Sequence, residues 1–202
     1  MDRLIDGYRR FRQDTWPASR ARYEELARRG QRPETLVISC SDSRVDPQTV
    51  FGAGPGELFV VRNVAGLVPP YEPDARYHGA SAAVEFAVRV LKVARIAVLG
   101  HAQCGGIIAM MHGVPEAARD FLAPWLTIAR PALRCVPADL PPAAAMDRCE
   151  AEVVALTLRN LATFPWIAEE VAAGRLELCG FRFAVATGVL ERLDANGFVP
   201  VT

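Results

Sequence analysis

The chain has 202 residues, 51% hydrophobic and 23% charged, a balance that fits one globular domain with a full core and excludes a disordered chain. Lys+Arg and Asp+Glu both number 23, so the net charge is zero and the basic face needed for nucleic-acid binding is missing. The first residues lack the apolar run of a secretory leader, and no stretch reaches the roughly 18 apolar residues of a membrane span, so a soluble, cytoplasmic protein is expected.

In chain order, Leu4, Tyr8 and Phe11 recur at helical spacing, and Pro17 followed by Ser19 reads as a break and a fresh N-cap before Tyr23 and Leu26. Two amphipathic helices closed by Gly30 form a predicted helical arm over 1–30, ahead of one domain over 31–202. The periodicity does not choose between an arm packed on its own domain and one packed on a second subunit. Beyond the arm, Thr35-Leu36-Val37-Ile38, Leu58-Phe59-Val60-Val61 and Ile96-Ala97-Val98-Leu99 read as buried strands. A helix is predicted over 80–91, with Ala83, Ala87, Val90 and Leu91 as its buried stripe, and another begins over 105–111. The Pro- and Ala-rich stretch 131–142 reads as a surface connection and 152–161 as a helix. Leu176-Glu177-Leu178-Cys179 reads as a fourth strand, with 183–186 folding back as a fifth. Strands separated by helices imply parallel pairing through right-handed crossovers. The predicted fold is therefore α/β: three layers, with a mostly parallel sheet of four to five strands flanked by helices.

Two short words carry chemistry on this map. Cys40-Ser41-Asp42-Ser43-Arg44 falls just past the first strand and His101-Ala102-Gln103-Cys104 just past the third. Ligands of open parallel sheets bind outside the carboxyl ends of strands, so these distant positions can meet. Thiolate and imidazole suit Zn2+, and three protein ligands leave the fourth tetrahedral corner for water. The other cysteines, Cys135, Cys149 and Cys179, stand in no CxxC or HxxC pair and read as small buried hydrophobes. Five cysteines without a disulfide-scaffold pattern agree with a reducing compartment. Cys104 precedes Gly105-Gly106 at a predicted helix start, where the helix dipole favours the thiolate. The two glycines serve a tight turn and equally let a ligand approach backbone N–H groups. His78 and His112 lack ligand spacing and read as surface or loop residues.

Asp42 and Arg44 are two residues apart, so in an extended stretch they project to the same side and can form a bidentate pair. Such a pair is commonly a surface ion pair, but this one starts two residues from a candidate ligand. In a functional pair Arg44 keeps Asp42 ionised and off the metal, and Asp42 orients the activated water.

These residues resemble the β-class carbonic anhydrases, a family that uses Cys-Ser-Asp-Ser-Arg and His-x-x-Cys-Gly-Gly. The run Pro55 to Ala65, the segment from Tyr77-x-Gly79 to Ala87, and Asn160-Leu161-Ala162-Thr163-Phe164-Pro165 extend the likeness over roughly 30–195. The resemblance implies Cys40, His101 and Cys104 as Zn2+ ligands and Asp42 and Arg44 as a catalytic dyad. The implied reaction is reversible hydration of carbon dioxide to bicarbonate and a proton by a zinc-bound hydroxide. It also implies a plant-like, non-allosteric branch. Gln31 falls where that branch has a substrate-binding glutamine, Phe59 and Val64 match its apolar pocket wall, and Gly105 adjoins the pocket. Val37 stands where the allosteric branch usually has a tryptophan. Phe86 stands where the plant-like branch typically has a tyrosine reaching a zinc-bound sulfur, so that bond is lost while the ring still serves as pocket wall. In the family the pocket is built across a subunit interface, which implies a homodimer or a dimer of dimers. Rival readings are a heterocumulene hydrolase acting on carbon disulfide, a noncatalytic protein with a four-ligand structural zinc, and a thiol redox protein.

Overall fold

The computed structural model describes residues 1–74 and 76–202. Its N-terminal arm is one helical rod rather than two separated helices. Helix α1 (Asp2–Arg10) runs through a wide π-helical turn (Phe11–Thr15) into α2 (Trp16–Arg29), and the junction residues keep helical dihedrals. Pro17 lacks the N–H that an α-helix needs, and the π turn widens the ladder just before it, so the helix continues instead of breaking. Ser19 is therefore inside a helix, not its cap. No arm residue is buried; Phe11, Trp16 and Tyr23 stack on one another, with ring centroids 5.2–6.2 Å apart. The arm touches the body through Arg22, whose Nε donates to Pro55 O at 3.2 Å, and through Leu26 against Gly56.

The body opens with β1 (Thr35–Cys40), whose residues Leu36 to Cys40 are all buried, as a central parallel strand requires. The short helix α3 (Pro47–Val50) leads to β2 (Leu58–Asn63), and α4 (Gly79–Glu85) with a π-helical extension (Phe86–Val90) leads to β3 (Arg95–His101). Helices α5 (Gly105–His112), α6 (Leu122–Leu126), α7 (Arg130–Leu133), α8 (Pro142–Ala162) and α9 (Pro165–Ala172) precede β4 (Glu177–Phe183). A hairpin, β5 (Leu190–Asp194) and β6 (Gly197–Pro200), ends the chain. The sheet has six strands in the order β2-β1-β3-β4-β5-β6, parallel from β2 to β4 and antiparallel thereafter.

This is the expected α/β architecture, with six strands where the sequence suggests four to five. Phe183 completes β4, and 184–187 turn instead of forming a fifth strand. The hairpin beyond them has a weak sequence signal, because Glu191, Arg192 and Asp194 dilute its apolar alternation. Helix α8 starts ten residues before its predicted start, because its first two turns carry little apolar patterning and follow Pro141-Pro142. Residue stretch 131–142 therefore includes most of α7 and the first residue of α8, with the connection between them.

One sheet face, carrying Leu36, Ile38, Ile96 and Val98, is covered by Val84, Ala87, Val154, Leu161 and Ile167 from α4 and its π-helical extension, α8 and α9. Contact is closest at Gly100 of β3, where an added Cβ would sit 2.5 Å from Val154 Cγ2. Glu150, one turn before Val154, is thereby brought over the carboxyl end of β3. Among the described residues the opposite face, with Val37, Ala97, Leu99 and Phe181, packs against Val45, Val50 and Phe51 around α3 and keeps a cleft of about 250 Å3.

Candidate metal centre

Cys40 and His101 are the last residues of adjacent parallel strands, so their shared register delivers them to the same edge of the sheet. The chain leaves β1 for β2 on one side and returns to β3 on the other, which makes the gap between β1 and β3 a topological switch point. Cys104 is the N-cap of α5. The ligand atoms of Cys40, His101 and Cys104 lie within 4.8 Å of one another, and among the described residues they form the one such group.

The donors fit zinc. Their two sulfurs are 3.9 Å apart, close to the separation of about 3.8 Å between two sulfurs each about 2.3 Å from a tetrahedral centre. His101 is 2% exposed, and its Nδ1 donates to Ala102 O at 2.9 Å, which leaves Nε2 with a free lone pair. That Nε2 is buried without a hydrogen-bond partner, a state that costs about 1–3 kcal/mol unless a cation takes the lone pair. The Cys104 thiol beside it holds Cys40 well below the ordinary thiol range, and the Cys40 thiolate, with burial, pushes Cys104 up. A divalent cation removes the repulsion between two such thiolates. Backbone N–H groups of Asp42 and Ala65 favour charge on Cys40, and those of Ile107 and Gly106 on Cys104.

Asp42 and Arg44 do pair, though not through extended backbone. The chain turns at 43–44, and the Arg44 N–H donates to Asp42 Oδ1 at 2.9 Å. The guanidinium then closes on both carboxylate oxygens, Nε to Oδ1 at 2.9 Å and Nη2 to Oδ2 at 2.7 Å. These bonds hold the Asp42 carboxyl well below the usual carboxylate range. Its Oδ2 is 3.9 Å from His101 Nε2, so the carboxylate borders the metal position while Arg44 occupies its oxygens.

Several residues that the sequence reading passed over build this geometry. Arg62 donates to the carbonyls of Cys40, Asp42 and Val45 at 3.0, 2.7 and 2.9 Å and so clamps the dyad turn. Asn63 closes the loop behind Cys40 by exchanging two hydrogen bonds with the Leu67 backbone, at 2.9 and 2.8 Å. Inside that loop Ala65 takes φ 65°, and Gly66, at φ 61°, lies so near β1 that a Cβ would meet Cys40 N at 3.2 Å. Glu150, 2% exposed, accepts the Cys104 N–H at 3.1 Å. The run Arg62-Asn63-Val64-Ala65 was visible as a motif, but the roles of its members were not.

The remaining predicted pocket residues divide into two groups. Val64 lies against Gly106, and exposed Gly105 opens α5, so both border this chain's own metal centre. Gln31, Phe59 and Phe86 do not. Gln31 precedes the opposite end of β1 and lines a groove with Arg32, Glu34, Leu91 and Lys92. Phe59 pairs with Leu36, four residues or about 13 Å along the sheet from the Cys40↔Asn63 pair. Phe86, 43% exposed, stacks on Phe59 with ring centroids 5.8 Å apart. Of the spare thiols, Cys149 and Cys179 are buried as expected; Cys135 is exposed, because it falls in the turn after α7.

Residues 35–190 match the family model described as carbonic anhydrase. The chain is 38% identical over 193 residues to a carbonic anhydrase of Pseudomonas aeruginosa, an alignment covering 95% of this chain and 86% of that protein. It superposes on the β-carbonic anhydrase CcaA with a TM-score of 0.90 at 32% identity, covering 100% of this chain and 92% of that one. The chain belongs to the β-class carbonic anhydrases. The β-carbonic anhydrase CafA of Aspergillus fumigatus matches with a TM-score of 0.80 at 29% identity, over 96% of this chain and 91% of that one. Tetrameric β-carbonic anhydrases of Sordaria macrospora match with a TM-score of 0.73 at 28% identity, over 100% of this chain and 95% of theirs. As a member of this family the chain is an enzyme, and the Cys-His-Cys group is its candidate metal centre.

Proposed function

We propose that this enzyme hydrates carbon dioxide reversibly to bicarbonate and a proton at a Zn2+ held by Cys40, His101 and Cys104. The observation that carries the reading is the buried, partnerless Nε2 of His101 facing two thiols 3.9 Å apart, beside a carboxylate that Arg44 keeps from acting as a fourth ligand. When bound, zinc supplies a water acidified towards neutral pH, and thus a nucleophile for a small electrophile. Asp42, an obligate acceptor, orients the proton of that nucleophile, and Arg44 keeps the site open. Val64 and Gly105 wall the pocket from this subunit.

Gln31, Phe59 and Phe86 complete the pocket from a second copy, because all three lie remote from their own metal centre, Gln31 and Phe86 exposed and Phe59 half-buried beneath Phe86. The working unit is therefore a homodimer or a dimer of dimers. The unburied arm, the thinly covered sheet face, and the tetrameric assembly of the Sordaria macrospora relatives support that reading. Val37 at the buried centre of β1 and the Gln31 position favour the plant-like, non-allosteric branch. No described helix is long and apolar enough to cross a membrane, and free thiols suit action in the cytoplasm. Stopped-flow hydration of carbon dioxide, with and without a zinc chelator and alongside carbon disulfide, tests the proposal. Chelator-sensitive turnover of carbon dioxide is expected; turnover of carbon disulfide alone would reassign the substrate.

A further inference from the structure

Among the described residues Glu150 is a buried carboxylate with no part in the proposed hydration. Glu150 projects from α8 into the space behind the metal ligands, where the void bordered by His101, Cys104, Ala65 and Ile107 is about 10 Å3. That volume holds at most one water, so the carboxylate depends on protein donors. It accepts the Cys104 N–H at 3.1 Å, and the backbone at 103–104 favours its charged form against the burial that raises its pKa. The residue just before that amide takes the left-handed conformation: Gln103 has φ 56°.

The Cys104 N–H and the Gln103 carbonyl belong to one peptide unit, and in a trans peptide these groups point in opposite directions. With its N–H on Glu150, this peptide aims its carbonyl outwards, where it accepts Arg44 Nη2 at 3.0 Å. That same Nη2 donates to Asp42 Oδ2 at 2.7 Å. A continuous line of hydrogen bonds therefore runs from Glu150 through one peptide to Arg44 and Asp42.

We propose that Glu150 is a positioning residue for the Asp42–Arg44 dyad, acting by locking the peptide between Gln103 and Cys104 in a strained orientation. Without it, Gln103 relaxes from the left-handed region, its carbonyl swings off Arg44, and the guanidinium loses the contact that sets its angle to Asp42. Glu150 touches neither substrate nor metal, so its loss reads in turnover rather than in zinc binding.

The inference rests on the carbon dioxide hydratase reading, and its test separates the two. Glu150→Leu leaves the buried Cys104 amide without its acceptor, and kcat is expected to fall about thirtyfold with KM and zinc content close to wild type. Adding Gln103→Gly removes the penalty on the left-handed conformation and is expected to recover about five- to thirtyfold of that loss. In the cobalt-substituted proteins the visible bands should shift in Glu150→Leu, as Asp42 slackens towards the metal, and return in the double variant. Wild-type kcat in Glu150→Leu, or parallel loss of kcat and zinc that Gln103→Gly does not restore, overturns the proposal. Should Glu150→Leu not fold, Glu150→Gln keeps one acceptor and is expected to lose about two- to tenfold, again offset by Gln103→Gly. No loss, or a loss without recovery, is then the refuting result. A wild-type enzyme inactive on carbon dioxide refutes the hydratase reading instead, and the cobalt bands still decide the role of Glu150.

Discussion

Arg44→Ala is the variant expected to separate metal binding from chemistry. Arg44 donates to Asp42 three times and touches no ligand atom, so Arg44→Ala should retain zinc near one per chain and lose essentially all activity. Metal analysis beside a hydration assay checks this, and full activity in the variant would refute the role. The pairing also fixes a pH sign. Asp42 has a folded pKa below its unfolded value, so its contribution to stability is complete above about pH 4 and disappears only as pH falls through the lower folded value. Between about pH 5 and 9 it stays a carboxylate, and any limb of the rate profile there belongs to another group. Carbon-13 NMR of the Asp42 carboxyl, flat across that range, is the expected result. The cysteines sort by the same logic. Burial pushes the Cys149 and Cys179 thiols up to about 11, so at about pH 8 both should resist alkylation, while exposed Cys135 reacts first. Cys40 and Cys104 should become reactive only after chelation, as read by mass spectrometry.

Helix α8 links the core to the site. Its buried positions, Cys149, Glu150, Val153, Val154, Leu156, Thr157 and Leu161, follow helical spacing, and one of them is a carboxylate set against the Cys104 amide. The helix is seated by Gly100, where any Cβ collides with Val154. Gly100→Ala should cost about 1–3 kcal/mol, seen as a lower Tm, and should lower kcat as well because the displaced helix carries Glu150 with it. A Tm loss with unchanged kcat would show that the helix can shift without disturbing the site. At this scale the sequence misled where local chemistry was overridden. Pro17 looked like a helix break, yet a π turn absorbs it. The end of β4 blurred into the following turn, although Asn196-Gly197 beside the β5–β6 connection is a recognisable hairpin signal.

The whole molecule divides its predicted pocket between two distant places, which is the physical case for assembly. A mixture of Gln31→Ala and Arg44→Ala subunits tests it directly. In a mixed dimer one zinc site pairs an intact Arg44 with the partner's intact Gln31, so mixing and re-annealing should give more activity than the average of the two parents. Strict averaging would place Gln31 outside the pocket of its partner. The sequence by itself determined the alternation of strands and helices and the residue types able to hold zinc. It did so because hydrophobic periodicity and donor chemistry are local properties, written in neighbouring residues. Tertiary structure alone decided that Asp42 meets Arg44 through a turn, that Arg62 and Asn63 brace the ligand loops, and that Glu150 reaches Cys104 from 46 residues away. Those contacts depend on strand register and on how closely α8 approaches the sheet, and neither quantity has a signature in any short stretch of chain.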